Sequence, residues 1–374
     1  MRIALVGPTH PYKGGVAAHT TQTAHELAAA GHRVDLVSWS RLYPRRLYPG
    51  EQAVPGGGPD LPPYPGTTRP LRWDRPGTWW RTGRSLRGHD LVVIVMVVPA
   101  QVPALLTLAR AARGRPRIEV IAHNVLPHET HPGARFLVAR MLRSADGVLV
   151  HSAEQARLGL TLGAREVRVT ALPPHLPGGP PPRPLPARPA RAGGEPVRVL
   201  ALGMVRPYKG VDLLLEAAQG VPDVTITVAG EQWGAAGERV RELAARPALA
   251  GRVRISAGYL PGAEVPALLG GHDVLALPYR HGTASQNVLL AHAYGLPVLA
   301  SRAGTFGEQV RDGVDGLLVP PGDVPALTAA LQRLTAPGQL EALRAGVPEV
   351  DLAGPWQDYV TALTAPTASV ASAP

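Results

Sequence analysis

The sequence predicts an α/β protein with two doubly wound parallel sheets, one in each half of the chain, facing a central cleft. Three observations lead to this prediction. Apolar segments typical of buried strands alternate with segments of helical periodicity. A proline-rich stretch at residues 173–196 interrupts the alternation, and the same alternation begins again after it. We therefore expect each half to bury its own core.

The first half begins with the strand "RIALVG" and a helical segment that ends at Gly31, a residue suited to terminate a helix. The next strands are apolar along nearly their whole length, which is typical of a parallel sheet covered on both faces. They are "RVDLVSW", "LVVIVMVV", "RIEVIAHN", "GVLVHS" and "VRVTALP", with helices such as "PALLTLARAARG" and "ARFLVARMLRSAD" between them.

The middle of the chain is too rich in proline for a packed element, since residues 173–196 hold ten prolines in 24 positions. We therefore predict a first domain at 1–174, a semi-rigid linker at 175–196 and a second domain at 197–350.

The second half repeats the strand and helix alternation. Its predicted strands are "VRVLALG", "VTITVAG", "RVRISAG", "VLALPY", "PVLAS" and "GLLVP". The tripeptide Gly-His-Asp precedes a strand in each half, in "GHDLVV" and in "GHDVLA". The last part of the chain, 351–374, begins with the helical segment "GPWQDYVTALTA".

Composition limits the possible functions. The chain has no cysteine, which excludes disulfides, thiolate metal sites and a cysteine nucleophile. Its apolar runs are too short for a signal peptide or a membrane span, so we expect a cytoplasmic protein. The net charge of +10 and pI of about 10.4 favour an anionic partner, namely nucleic acid, a membrane surface or a phosphorylated substrate. An arginine-rich composition is the alternative explanation of that charge.

Several motifs of known chemistry do not occur: GxGxxG, the P-loop, HExxH, GxSxG and Asp-x-Asp. The histidines at 123, 128 and 151 lack the spacing of metal ligands, and ordinary core or loop roles account for them. The sequence therefore predicts no metal site and no tightly bound cofactor.

Lysine marks two loops. Of 38 basic residues only Lys13 and Lys209 are lysines, and each lies in a Pro-Tyr-Lys-Gly tetrapeptide just after a strand. In open α/β sheets ligands bind beyond the carboxyl ends of the strands. In the first loop Gly14 and Gly15 would let backbone N–H groups approach an anion at a helix N-terminus. A plain glycine turn is the alternative.

The second loop, "GMVRPYKGVDLLLEA", places Arg206 and Lys209 around a proline-stiffened turn before an amphipathic helix. A planar guanidinium and a compact ammonium together suit a diphosphate. A third loop joins the strand "VLALPY" to the helix "QNVLLAHAYG", for which Ser285 is the predicted N-cap. A fourth, "AHNVLPHE", places His123 at a strand end.

Together these segments resemble glycosyltransferase family 4, the retaining nucleotide-sugar-dependent transferases of the GT-B fold. The similarity runs nearly from end to end. It includes the first Gly-Gly loop, the strand-end "HN", "VLVHS", "GMVRPYKGVDLLLEA", "GLPVLAS" and "GEQVRDGVDGLLVPPGD". The resemblance implies that Arg206 and Lys209 bind the donor diphosphate and that His123 lies near the transferred sugar. It also implies that Gly14 and Gly15 approach the donor, and that the C-terminal helix crosses back to the first domain. Lys13, in the matching loop, is expected to assist.

One departure from the family pattern concerns the glutamate pair expected eight positions apart in the third loop. Gly282 and Leu290 occupy those two positions here. Ser285, Gln286, Asn287 and backbone amides are the predicted substitutes, with Glu231 and Glu308 as the nearest carboxylates by motif. A purely structural helix-start role for Glu308 is the alternative. The predicted donor-binding residues are Lys13, Gly14, Gly15, Glu231, Gly282, Thr283, Ser285, Gln286, Asn287 and Glu308.

The resemblance implies a retaining, metal-independent transferase that moves a sugar from a nucleoside-diphosphate donor to a sugar or lipid-linked acceptor, in cell-envelope polysaccharide or glycolipid synthesis. The nucleotide sugar is a co-substrate, and no other cofactor is expected. A nucleotide-sugar epimerase and a non-catalytic nucleotide-sugar binder are the alternatives. A nucleic-acid partner rests on charge alone and is not expected.

An arginine- and tryptophan-rich segment, residues 69–90, lies in the first domain. It holds six arginines and three tryptophans, and such side chains favour the surface of an anionic bilayer. One interpretation is peripheral docking at the inner face of the membrane, where a lipid-linked acceptor would lie. The alternative is a solvated loop whose tryptophans pack on the first domain.

Overall fold

A computed structural model describes residues 1–44, 52–55, 58, 61–126, 133–185, 194–282 and 285–366. The chain forms two compact units. The first comprises residues 1–175 together with the C-terminal segment from Leu352, and the second runs from Leu176 to Asp351. In the described residues, no helix is both long enough and apolar enough to cross a bilayer.

The first unit contains a seven-stranded parallel sheet in the order β3-β2-β1-β4-β5-β6-β7. Because the strand order reverses direction between β1 and β4, the loop after β1 begins at the switch point of the sheet. The strands are β1 (Arg2–Val6), β2 (Arg33–Arg41), β3 (Thr67–Arg72), β4 (Leu91–Met96), β5 (Arg117–Ala122), β6 (Gly147–Val150) and β7 (Val167–Val169).

Helices cover both faces of this sheet, and the central strand β4 is buried along its whole length. One buried cluster joins the sheet to α3 and α4, and a second joins its opposite face to α1. As predicted, Gly31 follows the end of α1 with a positive φ of 84°. The helices are α1 (Gly15–Ala29), α2 (Pro76–Ser85), α3 (Val102–Ala112), α4 (Ala134–Ser144) and α5 (Ala153–Thr161).

Sequence reasoning missed β3 and α2, which lie within the arginine- and tryptophan-rich segment. The strand is polar and mostly exposed because it forms the edge of the sheet, so it lacks the apolar signal of the inner strands. Within α2, Trp79 packs on the core and its Nε1 donates to the Arg72 carbonyl oxygen at 2.7 Å. The segment is therefore not an irregular loop, because it contains a strand and a helix. The expected packing of a tryptophan on the first domain is correct for Trp79.

The second unit contains a six-stranded parallel sheet in the order β10-β9-β8-β11-β12-β13. Its switch point lies between β8 and β11. The strands are β8 (Val197–Leu202), β9 (Val224–Gly230), β10 (Val253–Ala257), β11 (Val274–Leu277), β12 (Val298–Ser301) and β13 (Gly316–Val319). The helices are α6 (Val211–Ala218), α7 (Gly234–Ala244), α8 (Val265–Gly270), α9 (Asn287–Ala293), α10 (Phe306–Gln309), α11 (Val324–Thr335) and α12 (Gln339–Gly346).

The last helix, α13 (Gly354–Thr364), packs against the first unit. Its buried face contributes Trp356 and Tyr359 to the same cluster as α1. Its carboxyl end is held by two guanidinium groups, since Arg117 donates to the Leu363 carbonyl oxygen at 3.1 Å and Arg168 donates to that of Ala365 at 3.0 Å. Positive charge at this end complements the helix dipole.

The Gly-His-Asp tripeptides have the same structural role in both units. Asp90 Oδ2 accepts the Arg2 N–H at 2.7 Å, and Asp273 Oδ2 accepts the Arg198 N–H at 2.9 Å. Each aspartate thus accepts a backbone N–H at the start of the unit's first strand. The repeated tripeptide is explained by structure rather than by binding.

Residues 176–185 of the proline-rich segment belong to the second unit. Tyr294 Oη donates to the Gly179 carbonyl oxygen at 3.1 Å, and Leu176 is buried. These ten residues therefore do not form a free linker, because they pack on the second unit; residues 186–193 lie outside the described residues.

Candidate functional site

The loop after β8 forms a tight turn at the switch point of the second sheet. Residues 207–209 form one turn of 3₁₀ helix, and Gly210 follows as the N-cap of α6 with a φ of +64°. A Cβ on Gly210 would lie 2.0 Å from the Pro278 carbonyl oxygen, so only glycine fits here. The backbone at Gly210 therefore packs directly against Pro278, the first residue after β11.

Lys209 is a half-buried cation within this turn. Its Nζ lies 5.7 Å from the Tyr279 ring centroid, and a Cβ on Gly203 would lie only 2.9 Å from Nζ. Lys209 forms no ion pair with any carboxylate of the described residues. Burial lowers the pKa of the Lys209 ammonium, Tyr208 raises it by a smaller amount, and the positive charge of Arg206 lowers it slightly further. An anionic ligand would stabilise the charged form.

Arg206 lies at the start of the same turn, and its guanidinium carbon lies 5.0 Å from the Trp233 ring centroid. Such a cation–π contact fixes the orientation of the guanidinium plane. Trp233 follows β9, two residues after Glu231. The Glu231 carbonyl oxygen accepts the Val205 N–H at 2.8 Å, which places the half-buried Glu231 next to the loop.

The turn between β11 and α9 lies next to the Tyr279 ring, which Lys209 also contacts. Asn287 Nδ2 donates to Tyr279 Oη at 3.4 Å, and burial raises the pKa of Tyr279 to about 12. The phenol is therefore neutral at physiological pH. The structure thus brings Lys209 and Asn287 to one tyrosine, and their shared role in donor binding stays a prediction.

The predicted N-cap at Ser285 is wrong, because Gln286 occupies the N-cap position of α9. Ser285 Oγ accepts the N–H of Asn287, two residues on, at 3.3 Å. That bond closes a serine turn before the helix rather than capping its first turn. Gly282 is half-buried at the start of this turn, and the predicted site residue Thr283 lies outside the described residues.

Sequence reasoning missed an ion pair that joins the two loops. Arg280 donates to both carboxylate oxygens of Asp212, at 2.8 and 2.6 Å, and also to the Pro207 carbonyl oxygen at 2.7 Å. Its backbone N–H donates to the Tyr208 carbonyl oxygen at 2.7 Å. A cavity of about 320 Å³ adjoins this pair. The available signal was Asp212, an acidic residue in the first turn of α6, directly after the basic turn.

Leu290 and Glu308, two further positions of the family pattern, differ in their surroundings. Leu290 is buried in α9, so this position contributes packing instead of a carboxylate. Glu308 lies exposed in α10, where its N–H donates to the Thr305 carbonyl oxygen at 3.1 Å. Phe306 of the same helix packs on Tyr279, with ring centroids 5.1 Å apart. The helix-start position of Glu308 is thus clear, and a role in donor binding stays a prediction.

The first Pro-Tyr-Lys-Gly loop follows β1 at the switch point of the first sheet. Gly14 is exposed, with a φ of +99°, and a Cβ there would meet nothing within 4 Å. The Lys13 N–H donates to the Gln52 carbonyl oxygen at 3.1 Å, and Tyr12 pairs with Ala53 in an antiparallel bridge. Backbone hydrogen bonds therefore hold this loop in place, and the space next to Gly14, at the N-terminus of α1, is empty of other atoms of the described residues.

His123 follows β5 and lies in a cluster of imidazoles in the first unit, of which two are buried and two, including His123, are half-buried. Its Nδ1 lies 3.2 Å from His151 Nε2, and its ring packs edge-on against His19 at 4.8 Å. A Cβ on Gly15 would lie 3.7 Å from His175 Cε1, so the glycine loop borders the same cluster. The histidine cluster is His19, His123, His151 and His175.

Burial favours the neutral form of three of these imidazoles, His19, His123 and His151. It holds the pKa of both His19 and His123 well below the usual value, and the neighbouring histidines lower both further. It also lowers the pKa of His151 to about 4, against a smaller upward contribution from the hydrogen bond with Thr170. In the residues described, no group of three or more histidines and carboxylates is arranged to hold a metal ion. The cluster can offer hydrogen-bond donors and acceptors rather than positive charge.

Comparison with known proteins identifies relatives of both units. The family model described as Glycosyltransferase Family 4 matches residues 13–176, and the one described as Glycosyl transferases group 1 matches residues 196–336. A GDP-mannose-dependent alpha-(1-6)-phosphatidylinositol monomannoside mannosyltransferase from Mycolicibacterium smegmatis is 32% identical over 281 residues, which are 68% of this chain and 70% of the relative.

Two solved structures show the same architecture. A sucrose-phosphate synthase from Thermosynechococcus elongatus matches with a TM-score of 0.69 and 21% identity, covering 97% of this chain and 94% of the other. Anabaena HepE, in complex with UDP and glucose, matches with a TM-score of 0.72 and 18% identity, covering 97% and 99%. At such identities the similarity establishes the fold alone, which is the predicted GT-B fold.

Proposed function

Because the chain belongs to glycosyltransferase family 4, we propose that it transfers a hexose from a nucleoside-diphosphate sugar to an acceptor hydroxyl with retention of anomeric configuration. Nucleotide-sugar glycosyl transfer follows from the family and the relatives, whereas retention and the residue roles are our proposal. The observation that carries the roles is Lys209, a half-buried cation beside Arg206 at the switch point of the second sheet.

Arg206 and Lys209 would bind the donor diphosphate and stabilise it as it leaves. Negative charge accumulates on the leaving diphosphate in the transition state, and preorganised cations in a poorly solvated site stabilise such charge strongly. The cation–π contact of Arg206 and the tight turn at Gly210 hold both groups in place before the donor arrives. The site therefore needs little reorganisation during the reaction.

We propose that no metal ion takes part. Arg206 and Lys209 supply the positive charge that a divalent cation would otherwise provide. The sequence also has no Asp-x-Asp pair to bind such an ion next to a diphosphate.

Retention would then proceed by attack on the same face as the departing diphosphate. Gly282 and Leu290 offer no carboxylate at the positions where the family carries glutamates. In this step the acceptor oxygen bonds to the anomeric carbon as the bond to the diphosphate oxygen breaks. The acceptor proton passes to that diphosphate oxygen. Ser285, Gln286 and Asn287 are proposed to hold the donor in place of the glutamates.

The related mycobacterial enzyme acts, by its name, on phosphatidylinositol monomannoside and uses GDP-mannose. We propose by analogy that this chain also uses a lipid-linked acceptor. Trp73 and Trp80, in the segment 69–90, are 40% and 47% exposed. Indole rings and arginines at a surface favour the headgroup region of an anionic bilayer, so this segment would bring the enzyme to its acceptor.

A two-part assay tests the proposal. UDP, GDP and ADP are first compared by thermal shift, since a ligand that binds only the native state raises its melting temperature. The sugar donors of the stabilising nucleotide are then incubated with and without lipid acceptors, and the product is examined by NMR. We expect donor consumption that requires the acceptor, and a product with the donor's anomeric configuration.

Two results would contradict the proposal. Conversion of the donor to an epimer without acceptor would indicate an epimerase. Stabilisation by a nucleotide, but no turnover of any matching donor, would indicate a binding protein without activity. An inverted product would leave the transfer intact and overturn the same-face mechanism.

A further inference from the structure

His151 lies between a backbone carbonyl and a second histidine. Its Nδ1 lies 3.4 Å from the Thr170 carbonyl oxygen, and its Nε2 lies 3.2 Å from His123 Nδ1. All three groups belong to the first unit, and His151 is buried. The imidazole of His151 therefore connects the residue that follows β7 to the residue that follows β5.

The hydrogen positions along this chain follow from the carbonyl oxygen, which can only accept. His151 Nδ1 must therefore carry the proton and donate to Thr170. Because burial keeps His151 neutral, its Nε2 is bare and accepts. His123 Nδ1 must then carry a proton and donate to His151. His123 is also neutral, which leaves its Nε2 without a proton.

His123 Nε2 is buried and has no hydrogen-bond partner among the described residues. A buried polar atom without a partner costs about 1–3 kcal/mol, and most such atoms in native structures have an explanation. A bare ring nitrogen accepts hydrogen bonds, so the group that would satisfy it is an O–H or N–H donor.

Neighbouring rings fix the orientation of His123. His19 packs edge-on against it at 4.8 Å, while Trp356 of α13 stacks on His19 at 5.2 Å. His19 Nε2 is itself hydrogen-bonded to Tyr359 Oη at 2.9 Å. Ring packing alone restricts rotation of the His123 ring but does not select its tautomer. That selection requires the bond to His151.

We propose that His151 is a positioning residue that holds His123 in its Nδ1–H tautomer, so that His123 Nε2 accepts a hydrogen bond from a substrate hydroxyl. The second half of this statement rests on the proposed function, since a sugar is a ligand rich in hydroxyl donors. The first half concerns the protein alone.

The tautomer is measured directly by long-range ¹H–¹⁵N NMR on full-length protein labelled at histidine. Protonated and bare ring nitrogens give distinct ¹⁵N shifts, and the signals are assigned by comparison with variants. We expect His123 to show a protonated Nδ1 and a bare Nε2 at neutral pH. A protonated Nε2 in the wild-type protein would overturn the proposal.

Two substitutions separate the hydrogen bond from packing. In His151→Phe the ring volume remains but the acceptor is lost, so we expect the Nε2–H tautomer of His123 to become populated. In His151→Gln the side-chain oxygen can accept from His123 Nδ1, so the wild-type tautomer should be restored. His25→Gln, on α1 and outside the histidine cluster, controls for removal of a histidine. An unchanged His123 tautomer in His151→Phe would contradict the positioning role.

Kinetics test the substrate hydroxyl. We expect kcat/KM to fall about tenfold or more in His151→Phe, the effect of losing one hydrogen bond, and to recover largely in His151→Gln. If the tautomer shifts and kcat/KM does not change, the hydroxyl contact is excluded. The tautomer result needs no substrate, so it decides the positioning role even if no sugar transfer is found and the proposed function fails.

Discussion

Lys209 has little room around its ammonium group, and it has no carboxylate partner among the described residues. Its Nζ lies between the Tyr279 ring and the backbone of Gly203. An ammonium fits this space, whereas a planar guanidinium requires a wider one. The use of lysine at this position, in a chain otherwise rich in arginine, thus has a steric as well as an electrostatic reason.

We expect Lys209→Ala to lower turnover by about 10²- to 10³-fold, the usual effect of removing one preorganised partner of a developing charge. Lys209→Arg should also be impaired, because the larger head group displaces the turn. Arg254→Ala, which removes an exposed cation on β10, is the matched control and should keep wild-type turnover. Steady-state kinetics at saturating donor would measure the effect, and full activity in Lys209→Ala would exclude the assigned role.

The sequence predicted the cations of the second unit but not the residues that hold them. Arg206 and Lys209 belong to a local motif that one loop displays completely. Arg280 and Asp212 are 68 positions apart and meet only because β8 and β11 are neighbours in the sheet. The same limit applies to His151 and His123, since a contact between the ends of adjacent strands has no local signal.

At the scale of elements, α2 and β3 turn the arginine- and tryptophan-rich segment into a folded surface. Trp79 is partly buried in the core, whereas Trp73 and Trp80 are exposed. The pair that could contact a membrane is therefore Trp73 and Trp80, and not Trp79 and Trp80 as adjacency in the sequence suggests.

We expect the protein to co-sediment with anionic vesicles, more strongly as the anionic fraction rises and less strongly as salt screens the arginines. The double substitution of Trp73 and Trp80 by alanine should weaken sedimentation without changing the melting temperature. Leu160→Ala, at an exposed apolar position on α5, is the control and should have no effect. Wild-type protein that stays in the supernatant at low salt would rule out docking.

The histidine cluster connects α1, the loop after β5 and α13, so acid should weaken the first unit. The folded-state pKa of His151 is about 4, below its unfolded value of about 6.5. Below pH 6.5 the unfolded chain therefore binds a proton that the folded chain does not, and stability falls as pH falls towards 4. Protonation of the unfolded chain at His151 should cost on the order of 2 kcal/mol of stability at pH 5.

Melting temperatures at pH 7.5 and pH 5 measure this effect. We expect wild type to lose stability between the two values, and His151→Gln to lose less, because glutamine does not titrate. His25→Gln should behave as wild type. An equal acid-induced loss in wild type and His151→Gln would show that His151 is not kept neutral by burial.

At the scale of the whole molecule, the alternation of strands and helices predicted both sheets, because inner parallel strands are apolar along their length. The alternation did not predict β3, because this edge strand is mostly exposed and its sequence is largely polar. Residues 176–185, predicted as part of a linker, pack on the second unit despite their prolines. Proline density predicts an irregular backbone, but it does not say which surface that backbone covers.

Two cations in the chain should make added metal unnecessary. We expect donor binding and transfer to survive excess EDTA, because Arg206 and Lys209 neutralise the diphosphate. The comparison is the same assay with Mg²⁺ or Mn²⁺ restored. Activity that is abolished by the chelator and returns with the metal would contradict this part of the mechanism.

The central claim is that the turn at Arg206–Lys209 binds the diphosphate of the donor. Isothermal titration with the nucleoside diphosphate that stabilises the protein, and with the matching monophosphate, tests it most directly. We predict that the diphosphate binds at least about tenfold more tightly, and that Lys209→Ala removes most of this preference, since a charge-assisted hydrogen bond contributes about 1.5–3 kcal/mol. Equal affinities for the two nucleotides, or a preference that survives in Lys209→Ala, would contradict the claim.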